Sequence, residues 1–150
     1  MLVKDVMSKN RRSIMPDTSI AEAMSMMRFY QCDVLPVAVD KELVGFVQLR
    51  DLLAMFFEEK LDYLNHDSDF DLRRVQNNYA PLIRVSVKQV MVDTKKSISV
   101  LASVNEAMNI MFDDQISSMA VTDGNKLVGM INFDDVNKAI LKLTSTKVAA

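Results

Sequence analysis

Tryptophan is absent from the 150 residues, cysteine and histidine occur once each, and glycine and proline three times each. The lone Cys32 excludes an internal disulfide and suits a reducing compartment, so a cytoplasmic location is expected. Three scattered glycines, Gly45, Gly124 and Gly129, cannot form a phosphate-cradling loop. His66 and Cys32 lie far apart and outside any nucleophile motif, so they offer no catalytic pair. No catalytic residue, cofactor or metal is assigned, and the chain does not read as an enzyme. The start of the chain lacks a signal-type apolar run, and no stretch approaches the roughly 18 apolar residues of a membrane helix. A net charge of −2 shows no basic excess, which disfavours a nucleic-acid partner; Arg11-Arg12 with Lys95-Lys96 are two short basic clusters that could serve one. Near His66, Asp67-x-Asp69-x-Asp71 opens like a calcium loop. It then places Leu72 where glycine is required and Asn78 where a bidentate glutamate is required, and it reads as a solvated acidic loop.

What is present is a repetition. Val3-Lys4-Asp5-Val6-Met7 returns as Val87-Lys88-Gln89-Val90-Met91, an offset of 87 − 3 = 84 residues. Ser19-Ile20-Ala21-Glu22-Ala23-Met24 returns as Ser103-Val104-Asn105-Glu106-Ala107-Met108, Leu43-Val44-Gly45 as Leu127-Val128-Gly129, and Asp51 as Asp135. Between residues 3 and 51, seventeen positions are identical at this one offset without a gap. Two units this short complete a core together, and the groove between them is the natural place for a ligand.

Each unit opens with a turn (Lys4 to Met7; Lys88 to Met91), a basic loop and a short strand, Ser13–Met15 or Ser97–Val100. Ser19/Glu22 and Ser103/Glu106 have capping-box spacing, in which the serine oxygen and the glutamate each satisfy an orphan amide. Behind them Ile20, Ala23, Met24 and Met27, and Val104, Ala107, Met108 and Met111, recur at helical spacing. A hairpin follows (Val34–Val39 with Leu43–Val47; Ser118–Val121 with Leu127–Ile131), and then a helix, Arg50–Glu59 or Asp134–Leu143. Pro36 implies an edge position or a strand start, since it donates no hydrogen bond. Residues 60–86 form a connecting segment in which Leu61, Leu64 and Phe70 extend the helix or make a lid, and Tyr79-Ala80-Pro81 is a break. The expected division is 1–59, 60–86, 87–143 and a tail, 144–150. Twelve methionines fit an adaptable core.

Asp5-Val6-Met7, Val34-Leu35-Pro36-Val37-Ala38-Val39 and Leu43-Val44-Gly45-Phe46-Val47-Gln48-Leu49-Arg50-Asp51-Leu52-Leu53, with a second copy through Leu127–Val136, resemble the CBS-domain pair, or Bateman module. The resemblance implies an α/β fold of two β-α-β-β-α repeats related by a pseudo-two-fold axis. It also implies a regulatory module that binds adenosine-containing ligands between repeats and dimerises. Asp51 and Asp135 fall in the first turn of a helix, where the dipole favours a carboxylate that can accept from ribose hydroxyls. An aspartate there can also simply cap the helix. The family commonly has Ser or Thr three residues after the glycine; here Gln48 and Asn132 stand there, and Ala120 replaces the usual proline.

Carried over residue by residue, one cleft gathers Asp51, Arg50 and Gln48 with Met91, Lys96, Ile116, Ser117 and Ser118. The other gathers Asp135, Asp134 and Asn132 with Met7, Arg12, Cys32, Asp33 and Val34. The first is the more cationic; in the second, each close carboxylate–phosphate pair is repulsive by about 4 kcal/mol at intermediate dielectric. The expected function is sensing of AMP, ADP, ATP or another adenosyl compound by a homodimer that controls a separate effector protein. The alternatives are a ligand-independent dimerisation scaffold and, more remotely, a nucleic-acid-binding module.

Overall fold

The computed structural model describes residues 1–10, 12–56, 84–93 and 96–148. The helices are α1 (Val3–Val6), α2 (Ile20–Tyr30), α3 (Leu49–Phe56), α4 (Val104–Asp113) and α5 (Phe133–Val148). Among the described residues the strands are β1 (Val34–Val39), β2 (Glu42–Gln48), β3 (Val92–Asp93), β4 (Ser97–Ser99), β5 (Ser118–Asp123) and β6 (Lys126–Asn132), and a 3-10 turn covers Val87–Gln89. The fold is mixed α/β. The expected lid residues, the Tyr79-Ala80-Pro81 break, the acidic loop from His66, and Arg11 and Lys95 of the basic clusters lie outside the described residues.

Two compact units form, and they do not follow the sequence repeat. One consists of Met1–Ser13, Ala38–Val44 and Asp93–Ala150; the other of Ile14–Val37 and Gly45–Val92. The opening segment of the first repeat therefore packs with the body of the second, and the segment around Val87 packs with the body of the first.

In the first unit, β4 runs parallel to β5 (Ile98 opposite Val121), and β5 runs antiparallel to β6 from Ser118↔Asn132 to Asp123↔Lys126. The tip of the first hairpin adds to β6 through Glu42↔Lys126. Val3, Ile98, Ala107, Met111, Met119, Val121, Ile131 and Val136 make the core, against which Val6 and Met7 of the opening segment pack. That segment is strapped down by main-chain bonds. Val3 N–H donates to Ala102 O (2.8 Å), and Ser8 exchanges two bonds with Met130 (2.8 and 3.0 Å).

In the second unit the buried residues include Ile20, Ala23, Met27, Leu35, Val37, Val47, Leu52 and Val87. Val87 N–H donates to Thr18 O (2.8 Å) and Ile20 N–H to Val85 O (3.0 Å), holding the second opening segment on α2. Pro36 needs no donor here: β1 meets β2 on one side. On its other side it has the isolated bridge Ile14↔Val37, where Ile14 N–H donates to Pro36 O (2.9 Å).

Several local expectations are corrected. The expected strand Ser13–Met15 reduces to that single bridge at Ile14. Ser19 and Glu22 form the full reciprocal capping box, but at α4 only the Ser103 half forms, with Glu106 N–H donating to Ser103 Oγ (3.1 Å). The last helix runs through Val148, past the expected end at Leu143, so residues 144–148 are helix and not tail.

Candidate functional site

In the first unit β6 passes directly into α5, and the junction is a reciprocal cap. Asn132 N–H donates to Asp135 Oδ2 (3.0 Å) and Asp135 N–H donates to Asn132 Oδ1 (2.8 Å), which satisfies two groups that a helix start otherwise leaves open. The capping role considered for this aspartate is therefore real, and it engages one of the two carboxylate oxygens. Strand register sets Ser118 opposite Asn132, and Phe133 N–H donates to Ser117 O (3.4 Å). Ile116, Ser117, Ser118, Asn132 and Asp135 thus gather at one end of the β5–β6 hairpin.

Partial burial raises the Asp135 carboxyl above its ordinary pKa; the Asn132 amide, Lys138 and the Ser8 main chain act to lower it, while Asp134 adds to the rise. Asp134 is itself paired with Lys138 at 2.7 Å, and this contact raises the Lys138 ammonium. Lys138 was overlooked in the sequence, although its i,i+4 spacing from Asp134 signals the pair. The pair is exposed and screened, yet it offsets part of the repulsion expected from Asp134.

The second unit repeats the strand-to-helix geometry. Leu49 N–H donates to Asp33 O (2.8 Å), the counterpart of Phe133 to Ser117, because 33 + 84 = 117 and 49 + 84 = 133. Gln48 ends β2, while Arg50 (exposed) and Asp51 (half-buried) lie in the first turn of α3. Among the described residues no counterpart of the Asn132–Asp135 cap joins Gln48 to Asp51. The two aspartates share a position but not a state of engagement.

Of the first expected cleft, Asp51, Arg50, Gln48 and Met91 lie in the second unit, and Lys96, Ile116, Ser117 and Ser118 in the first. Of the other, Asp135, Asp134, Asn132, Met7 and Arg12 lie in the first unit, and Cys32, Asp33 and Val34 in the second. Within units, the bonds above set Ser117 and Ser118 beside Asn132, and Asp33 beside the start of α3. Lys96, expected among the first cleft's residues, is paired with Asp114 at 3.5 Å. No pattern in the sequence announces that partner, which sits at the end of α4, 18 residues after Lys96. Among the described residues there is no cluster of potential metal ligands, and no helix is long and apolar enough to cross a membrane.

The chain matches the CBS domain family twice, over residues 3–58 and 87–142. It belongs to that family. The fold of this CBS pair is similar to that of CBSX2 from Arabidopsis thaliana, with a TM-score of 0.78 at 21% identity, covering 96% of each chain. CBSX2 in complex with AMP aligns with a TM-score of 0.73 at 23% identity, covering 95% of this chain and 98% of the other. The CBS domain pair of protein MJ0100, in complex with 5'-methylthioadenosine and S-adenosyl-L-methionine, aligns with a TM-score of 0.70 at 18% identity, covering 93% and 95%. A homoserine O-acetyltransferase of Methanobrevibacter ruminantium is 32% identical over 111 residues, but this CBS pair spans only 22% of that protein's length.

Proposed function

We propose that this CBS pair is a regulatory sensor, acting in the cytoplasm as a homodimer, that binds an adenine nucleotide or related adenosyl compound and controls a partner protein. The observation that carries the reading is the recurrence of an aspartate in the first turn of equivalent helices, Asp51 in α3 and Asp135 in α5. A carboxylate at a helix start accepts two hydroxyl hydrogen bonds readily, and ribose presents them as a vicinal pair. The complexes of CBSX2 with AMP and of MJ0100 with adenosyl compounds support the ligand class. Regulation follows if the ligand binds two arrangements of the chain with different affinity.

A scaffold that needs no ligand is the second reading, and it is favoured by the mutual satisfaction of Asn132 and Asp135. A thermal-shift panel of AMP, ADP, ATP, 5'-methylthioadenosine and S-adenosyl-L-methionine separates the two. A ligand at 100 times its Kd stabilises the native state by about 2.7 kcal/mol. At least one compound is expected to raise Tm; a panel at millimolar concentration that moves nothing favours the scaffold.

A further inference from the structure

Inside the first unit the tips of the two hairpins meet by a symmetric exchange. Leu43 N–H donates to Asn125 O (3.0 Å), and Leu127 N–H donates to Lys41 O (3.0 Å). The repeat offset turns one bond into the other, because 43 + 84 = 127 and 41 + 84 = 125. The residues between them, Glu42 opposite Lys126, are likewise related, since 42 + 84 = 126. They mark the local centre of the pseudo-two-fold relation. Because their neighbours make the hydrogen bonds, Glu42 and Lys126 form a non-hydrogen-bonded antiparallel pair, the kind in which opposed side chains come closest. Both are exposed. Leu43 and Leu127 join Ala38, Ala120 and Met130 in an apolar cluster at the same junction. Lys126 also stands opposite Asp123 on β5, so it lies between two acids.

We propose that Glu42 and Lys126 are a charge code that commits the hairpin tip of a first repeat to the tip of a second repeat and rejects the pairing of like repeats. Main-chain bonds and leucines cannot make this choice, because both tips carry the same leucine and the same pattern of donors and acceptors. The charges can. Two first-repeat tips meeting in this register would set Glu42 against Glu42, and two second-repeat tips would set Lys126 against Lys126. Opposite charges directly across a sheet are favourable and like charges are unfavourable. Repulsion in the wrong pairing supplies specificity even where the right pairing adds little stability. Wherever copies of the chain come together, each tip has like and unlike tips within reach, and only the unlike pair sets acid against base.

The four charge combinations at positions 42 and 126 test this on the full chain, because two of them reproduce the rejected contacts in the native register. Lys126→Glu sets acid against acid, as two first-repeat tips would. Glu42→Lys sets base against base, as two second-repeat tips would. Thermal melts at low salt and one fixed protein concentration are the readout. Glu42→Lys should lower Tm by about 1–3 °C in the otherwise wild-type chain, and raise it by about as much when Lys126→Glu is already present. Asp123 faces position 126 in both backgrounds and cannot produce that reversal of sign. Glu42→Gln should show the same two signs at roughly half the size, and about 0.5 M NaCl should shrink every shift. A Glu42→Lys shift of the same sign in both backgrounds, or shifts that salt leaves unchanged, would overturn the charge code.

Discussion

The carbonyl oxygen of Ser8 stands where the β-carbon of any residue larger than glycine at position 129 would have to sit. Ser8 is fixed there by two main-chain hydrogen bonds to Met130, at 2.8 and 3.0 Å. The relationship recurs one repeat away: a β-carbon on Gly45 would lie 2.7 Å from the carbonyl oxygen of Val92, and 92 − 84 = 8. Neither glycine has a positive φ, so close approach and not turn geometry explains their recurrence. Met7 and Met91 complete the parallel, their sulfurs 3.4 and 3.3 Å from the two positions.

Gly129→Ala and Gly45→Ala are therefore expected to cost about 1–3 kcal/mol each, because the obstacle is main chain and cannot rotate aside. Gly129→Ala should be the more severe, since Ser8 comes closer and is bonded on both its N–H and C=O. Urea denaturation measures this directly. Two alanine variants as stable as the wild type would mean that the opening segments do not lie on these strands.

Asp135→Asn should separate stability from binding. Burial raises the folded carboxyl pKa, so in the window above the unfolded value the folded state holds more protons than the unfolded chain. Stability therefore rises as pH falls through that window, and the ionised form is a net cost above it. Asparagine resembles the neutral form and can still accept from the Asn132 amide. The variant is expected to lose no stability at neutral pH and to lose the gain on its acid side. Any nucleotide bound through this carboxylate should bind about tenfold more weakly, as charge-assisted bonds of about 1.5–3 kcal/mol are removed. Denaturation curves from pH 3 to 7 and calorimetric titration check the two halves; a destabilised variant at neutral pH would refute the first.

Asp51 lacks the reciprocal cap that engages Asp135, which leaves its carboxylate better placed to accept from a ligand. Asp51→Ala should weaken nucleotide binding by at least about tenfold. Arg50→Ala should weaken phosphorylated ligands more than 5'-methylthioadenosine, which has no phosphate. Isothermal titration of both variants against AMP and 5'-methylthioadenosine is the measurement. Equal losses for the two ligands in Arg50→Ala would remove the phosphate role of Arg50.

The fold was legible because repetition constrains every element twice. The helix stripe through Ala23 and Met27 was confirmed by the one through Ala107 and Met111, all four being buried. The reason for the glycines was hidden, since Ser8 and Gly129 are far apart in the chain and no local pattern links them. The division into units was hidden likewise: repetition cannot say which body an opening segment packs on, and both segments pack on the other repeat's body. At the site, the aspartates and their helix starts followed from spacing. The Lys96–Asp114 pair did not, because it depends on where a loop meets the end of a helix.

The first hairpin offers a further test, because its turn works against its own residues. Asp40 and Lys41 connect β1 to β2 with φ of 49° and 68°, both in the left-handed region. That pair of values belongs to the two-residue turn whose twist matches the strands, and Asn-Gly is its preferred occupant. A non-glycine residue there is strained by about 1–2 kcal/mol, less for aspartate, whose short side chain can bond locally. The second hairpin turns differently, with a positive φ at Gly124 (61°) and none at Asn125. The turn is also an anchor: Leu127 N–H donates to Lys41 O (3.0 Å), so the strain is held by the bond to β6. Asp40→Asn with Lys41→Gly keeps every main-chain bond and removes the β-carbon at position 41. After the entropy of a new glycine in the unfolded chain is deducted, a gain of about 0.5–1 kcal/mol remains. Thermal and urea unfolding should register it as a higher Tm and midpoint with an unchanged m-value. A loss of stability would show that Lys41 makes side-chain contacts worth more than its backbone strain.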